Sequence, residues 1–229
     1  MNTKRFIFCA LDFTDLKKTL DFIKLIKNNV GGIKLGLEFF TKNGPQGVEK
    51  IKKFGLPVFL DLKLHDIPNT VKQSLKNVLS LEPDYLTVHL SGGYKMIEIL
   101  QDVKKKTKII GVSFLTSLDG EDLKNMGINM NASEYVENLV KIGVNAGIDG
   151  VVSSANEVEN LKKKFNDIIF VTPGIRLPSD KRDDQKRIES PRSAVTSGAD
   201  ILVIGRPITE SKNPLVSINE IINNIENEK

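Results

Sequence analysis

Short apolar runs alternate with longer amphipathic stretches along the whole chain. The apolar runs, read as strands, cover residues 6–11, 32–35, 57–62, 85–89, 109–114, 150–153, 168–172 and 201–204. A stretch with helical character follows each. Residues 15–28 carry Leu16, Leu20, Ile23 and Ile26 on a helical period. Residues 45–54 and 68–81 each open with proline, which suits the first helical position. The others are 94–105, 132–145, 157–165, 191–197 and 214–227, with a short extra helix at 121–126. Eight strand–helix repeats predict a (β/α)8 TIM barrel, one domain over residues 1–229. An open doubly wound sheet is the alternative, weakened in its dinucleotide-binding form because no Gly-x-Gly-x-x-Gly follows a strand. The one long irregular segment, 174–187, has the length of a functional lid.

One strand departs from the apolar pattern. Pro57-Val58-Phe59-Leu60 runs into Asp61-Leu62-Lys63-Leu64-His65-Asp66, and Ile67-Pro68-Asn69-Thr70 then opens a helix. Alternate strand residues share a face, so Asp61 and Lys63 point together with Leu62 opposite. Burying such charges is costly unless they pair. A surface ion pair at a sheet edge would be the bland explanation, but the run before it reads as buried on both faces. Acids flanking a lysine favour its charged form. A charged lysine is a proton donor rather than a Schiff-base nucleophile, and it stabilises a developing carbanion.

Bulk composition narrows the classes. The chain has 229 residues, 40% hydrophobic and 27% charged, which suits a soluble domain with a real core. It has no apolar run long enough to span a bilayer, and Asp12 stands where a signal peptide would need a small-residue cleavage site. The single cysteine, Cys9, reads as a small core residue in a chain suited to a reducing cytoplasm. The net charge of +4 does not point to nucleic acid, because the lysines are spread along helices and aromatics are only 6%. The densest cluster, Lys104-Lys105-Lys106, reads as a solvated helix end. A mild positive balance suits a small anionic substrate.

In a barrel the active site lies at the C-terminal strand ends. Those ends give Asp12, Lys34, Asp61 with Lys63, His89, Thr116 and Ser117, Ser153, Arg176, and Gly205-Arg206. Ser117 and Ser153 read as turn or cap residues. His89 reads equally as a neutral core histidine or a site residue. His65 is placed just below the mouth of the barrel. Two histidines without a helical pairing motif do not make a zinc site. Gly205-Arg206 offers backbone N–H groups at a helix start and a guanidinium, the pair a phosphate needs.

The segment Asp61-x-Lys63-x-x-Asp66 followed by Ile67-Pro68-Asn69-Thr70 resembles the catalytic stretch of the orotidine 5'-phosphate decarboxylases. Its Asp-x-Lys-x-x-Asp core is shared with sister enzymes acting on sugar phosphates. Further resemblances follow in order: Ala10-Leu11-Asp12, Ile33-Lys34-Leu35-Gly36, Val88-His89-Leu90-Ser91-Gly92-Gly93, Leu115-Thr116-Ser117, Thr172-Pro173-Gly174-Ile175-Arg176, Asp184-Gln185-x-Arg187 and Ile204-Gly205-Arg206-Pro207. The resemblance implies decarboxylation of orotidine 5'-phosphate to UMP in pyrimidine synthesis, with no cofactor and no metal. It places Asp12 and Lys34 on the ribose hydroxyls, Asp61 beside the substrate carboxylate, and Lys63 as proton donor. Asp66 and Thr70 would reach into the partner's site of a homodimer. Thr116 would contact the pyrimidine, and Arg176, Gln185, Gly205 and Arg206 the phosphate end, with Gln185 on a closing lid.

Three other readings remain at this stage. A sugar-phosphate decarboxylase or aldol-type synthase would use the same core with magnesium, and would need further carboxylates; the nearest spare acid, Glu38, reads as structural. A Schiff-base aldolase would use Lys63 as nucleophile. A phosphate-binding barrel without catalysis would not require the charged strand end.

Overall fold

The computed structural model describes residues 2–177 and 189–227. Eight parallel strands close into a barrel: β1 (Ile7–Ala10), β2 (Gly32–Gly36), β3 (Val58–Leu64), β4 (Tyr85–His89), β5 (Lys108–Val112), β6 (Gly150–Val152), β7 (Ile169–Thr172) and β8 (Ile201–Ile204). The helices around it are α1 (Leu16–Ile26), α2 (Leu37–Lys52), α3 (Pro68–Val78), α4 (Tyr94–Gln101), α5 (Gly120–Asn125), α6 (Ala132–Asn145), α7 (Ala155–Lys164), α8 (Pro191–Thr196), α9 (Arg206–Thr209) and α10 (Pro214–Glu226). Strand β8 pairs with β1, which closes the sheet, so the charged end of β3 does not lie at an edge.

Period-2 alternation sorts each strand into two cores. Ile7, Cys9 and Leu11, Ile33 and Leu35, Leu60 and Leu62, and Leu86 and Val88 face outward into one large apolar layer with the helices. Phe8, Phe59, Ile110, Val171 and Ile201 form a second cluster inside the barrel. Tyr85 stands edge-on to Phe8 and tilted against Phe59, with centroids 5.6 Å apart in both pairs. This aromatic plug needs Gly32 as its neighbour, since a Cβ there would lie 2.3 Å from the Phe8 ring. The barrel floor is therefore apolar and filled, and only the layers above it can hold polar groups.

The N-terminal face repeats one device. Asp84, Asp149 and Asp200 each precede an even strand, and each carboxylate accepts a backbone N–H, from Val58, Ile109 and Phe170, at 2.8 Å. Each also pairs with a lysine: Lys52, Lys104 and Lys162. Conserving register on this face stabilises the barrel and leaves the opposite face for chemistry.

Several boundaries differ from the sequence reading. Helix α4 stops at Gln101, and Lys105 turns the chain with φ 52°. Lys104 is thus not a helix end but an ion-pair partner of Asp149 at 2.8 Å. Helix α2 begins at Leu37, well before Pro45, and kinks at Gly44 (φ 59°). Pro45 opens a second helical stretch after that break, at its first position as the sequence suggested; what the sequence did not show is the earlier stretch from Leu37. No helix among the described residues is long and apolar enough to cross a membrane.

Candidate active site

The C-terminal face opens into a cavity of about 760 Å³. Asp12, Lys34, Asp61, Lys63, Thr116, Ser117, Arg176, Gly205 and Arg206 all line it, over walls that include Phe59, Val112, Val152, Val171 and Val203. Inward-facing positions one step above the aromatic plug supply the charges. Lys34 follows Gly32 on β2 and Asp61 follows Phe59 on β3, each two residues along.

Asp61 is the hub. Its Oδ2 lies 2.8 Å from Lys63 Nζ and 3.6 Å from Lys34 Nζ. Its Oδ1 accepts the Thr87 hydroxyl at 2.9 Å. Burial alone would raise this carboxyl; the ammonium groups of Lys34 and Lys63 and the bonds from Lys63 and Thr87 outweigh it and hold it below the ordinary range. Lys34 also reaches Asp12 at 3.4 Å. Gly36 makes room for that pair, since a Cβ there would sit 3.0 Å from Asp12 Oδ1 and 3.1 Å from Lys34 Nζ. Asp12, Lys34, Asp61 and Lys63 thus form one alternating acid–base chain.

Lys63 is held in an unusual backbone. Its φ is 50°, a left-handed conformation that costs a non-glycine residue about 1–2 kcal/mol. Leu60 pairs with Leu86 but Leu64 pairs with Val88, so the ladder to β4 is interrupted between them. The Lys63 N–H is given to the Thr87 hydroxyl at 2.8 Å.

On the far wall, Arg176 is 7% exposed and donates from Nη1 to the Ile175 carbonyl at 2.9 Å. Arg206 opens the single turn α9 directly after β8. An anion here would meet guanidinium groups and the Gly205–Arg206 backbone rather than a long helix dipole.

The family model described as "Orotidine 5'-phosphate decarboxylase / HUMPS family" matches residues 5–221. The chain belongs to this family. Two orotidine 5'-phosphate decarboxylases illustrate the similarity. That of Sphingopyxis alaskensis is 45% identical over 216 residues, covering 94% of this chain and 96% of its own. That of Wolbachia pipientis is 45% identical over 222 residues, covering 96% and 98%. Among solved structures, the orotidine 5'-phosphate decarboxylase from Lactobacillus acidophilus superposes with a TM-score of 0.81 at 31% identity, covering 96% of this chain and 99% of its own. An uncharacterized conserved protein from Geobacillus kaustophilus reaches 0.83 at 31% identity, covering 96% and 100%.

Within this orotidine 5'-phosphate decarboxylase family member, the structure gathers most of the residues singled out from the sequence, but not all. Asp66 and Thr70 are exposed on the rim and do not line the cavity. The Asp66 carboxylate accepts the Ile67 N–H at 2.7 Å, and among the described residues Lys63 pairs with Asp61 and not with Asp66. The flanking of Lys63 by both acids therefore does not occur within one chain: the strand ends at Leu64, and the next two residues carry Asp66 outward. Gln185 lies outside the described residues, as do Asp184, Arg187 and the segment Pro178-Ser179-Asp180-Lys181. His65 is exposed on the rim rather than below the mouth, and its ring lies 5.3 Å from that of His89. Burial first, then His65 and Lys63, lowers the pKa of His89, which favours the neutral ring. Glu38, read as structural, faces the cavity from the first turn of α2. Ser117 sits in a turn, as expected, and lines the cavity as well. Ser153 is buried, does not line the cavity and donates to Glu157 at 3.2 Å. Sequence reasoning missed Thr87. Its only signal is a threonine between the apolar Leu86 and Val88 of β4.

Proposed function

We propose that this protein converts orotidine 5'-phosphate to UMP and carbon dioxide, with Lys63 as proton donor. The observation that carries the reading is the Asp61–Lys63 pair at 2.8 Å at the cavity end of β3, with Asp61 buried, extended to Lys34 and Asp12. The bond between the ring carbon and the carboxylate breaks, and its electron pair stays on the ring carbon. The Lys63 ammonium stabilises that carbanion and delivers a proton to it, forming the C–H bond of UMP. Asp61 beside the substrate carboxylate repels it, and the repulsion falls as carbon dioxide leaves. Asp12 and Lys34 hold the ribose hydroxyls, and Thr116 the pyrimidine. Arg176, Gln185, Gly205 and Arg206 hold the phosphate, whose binding energy orients the reacting ring. The protein acts as one barrel domain in the cytoplasm. It works as a homodimer in which Asp66 and Thr70 complete the partner's site, with no nucleic acid or membrane as partner and with no cofactor. The test is direct: the purified protein should consume orotidine 5'-phosphate and yield UMP and carbon dioxide in equal amounts. Absence of turnover would end this reading.

Arg206→Ala should raise the Michaelis constant strongly and also lower turnover. A charge-assisted bond contributes about 1.5–3 kcal/mol, and part of that energy is used to orient the substrate. Orotidine, which lacks the phosphate, should be a poor substrate for the parent protein and little worse for the variant. Equal loss with both substrates would make Arg206 a structural residue.

A further inference from the structure

Thr87 stands at the point where the β3–β4 ladder is interrupted, opposite the segment that carries both Asp61 and Lys63. It is 0% exposed. Its hydroxyl has two partners and the chemistry fixes its direction. The Lys63 N–H can only donate, so it takes a lone pair of Thr87 Oγ1 at 2.8 Å. The hydroxyl proton then has to go to Asp61 Oδ1 at 2.9 Å. With Oδ1 occupied, Asp61 turns Oδ2 toward Lys63 Nζ at 2.8 Å and Lys34 Nζ at 3.6 Å. The same hydroxyl holds the Lys63 backbone N–H, at φ 50°, where the β3–β4 register shifts.

We propose that Thr87 is a positioning residue for the decarboxylation, clamping the Asp61 carboxylate and the Lys63 backbone into one unit so that the Lys63 ammonium is held where the proton is needed. The inference rests on the decarboxylase reading above and adds to it a residue outside the substrate's reach. A valine has nearly the shape of threonine but neither donates nor accepts, whereas serine keeps the hydroxyl.

Thr87→Val should lower kcat by about tenfold to a hundredfold, the loss expected for a hydrogen bond to a charged group. The Michaelis constant should stay within about threefold, because the clamp acts on the proton donor rather than on substrate binding. Thr87→Ser should recover most of the lost turnover. Thr87→Ala carries the same expectation as the valine variant should the latter fail to fold. A second readout does not need turnover. The bond from Thr87 is one of the influences lowering the Asp61 carboxyl, so the Asp61 carboxyl carbon resonance, assigned with Asp61→Asn, should titrate at higher pH in Thr87→Val. Should the parent protein prove inactive on orotidine 5'-phosphate, the decarboxylase reading falls, and this titration still decides whether the clamp exists. Parent-like kcat in the valine variant, a serine variant as impaired as valine, or an unmoved Asp61 titration would each overturn the proposal.

Discussion

Lys63→Ala should abolish turnover while leaving the fold and most of the substrate affinity intact. A positioned general acid contributes about 10²–10⁴-fold, and the same ammonium also stabilises the developing carbanion, so the fall in kcat should lie at or beyond the upper end of that range. Binding should change far less, because an interaction made mainly in the transition state affects turnover more than ground-state affinity. The charge array explains why the variant should still fold. Asp61 loses its partner at 2.8 Å but keeps Lys34 at 3.6 Å and the Thr87 hydroxyl at 2.9 Å, so no buried carboxylate is left unpaired. Steady-state kinetics alongside UMP affinity would separate the two effects. Near-normal kcat would remove Lys63 from the mechanism.

A mixture of Lys63→Ala and Asp66→Ala proteins, each inactive alone, should regain activity once subunits exchange. The motive is geometric. Asp66 is exposed on the rim, bonded to the Ile67 N–H, while Lys63 in the cavity of its own chain pairs with Asp61. Exposed Ile67, 68% accessible, stands beside it on the same rim. In a symmetric dimer with shared sites, a mixed pair has one site lacking both residues and one lacking neither. Random exchange of equal amounts should therefore restore about a quarter of the parent activity. Exchange demonstrated by mass with no recovery would show that Asp66 acts within its own subunit or not at all.

The barrel was legible because a short apolar run followed by an amphipathic stretch repeats eight times along the chain. What sequence reading misplaced has local physical causes. The helical stretch that opens at Leu37 was not read; Gly44 at φ 59° ends it before Pro45 starts the stretch that was read. The lysine cluster at 104–106 looked like a helix end, but α4 stops at Gln101 and Lys104 pairs with the carboxylate of Asp149. In the site, Asp12, Lys34, Asp61, Lys63, Thr116, Arg176, Gly205 and Arg206 were readable from their places at strand ends, and all line the cavity. Thr87 was not readable. Its role depends on the interruption of the β3–β4 ladder and on the positive φ of Lys63, and nothing in the sequence announces either. The alternating charge chain was only half visible, since the contact between Lys34 and Asp61 joins neighbouring strands through their register.

The central claim is that these side chains decarboxylate orotidine 5'-phosphate by themselves, with the new C–H proton drawn from an exchangeable group on the protein. The most direct measurement is turnover in heavy water by protein exhaustively treated with a chelator, followed by mass analysis of the product. The account predicts the same heavy-water rate with and without chelation, and UMP carrying one deuterium on the ring carbon that held the carboxylate. Activity that disappears on chelation and returns with magnesium, or UMP without deuterium at that carbon, would contradict it.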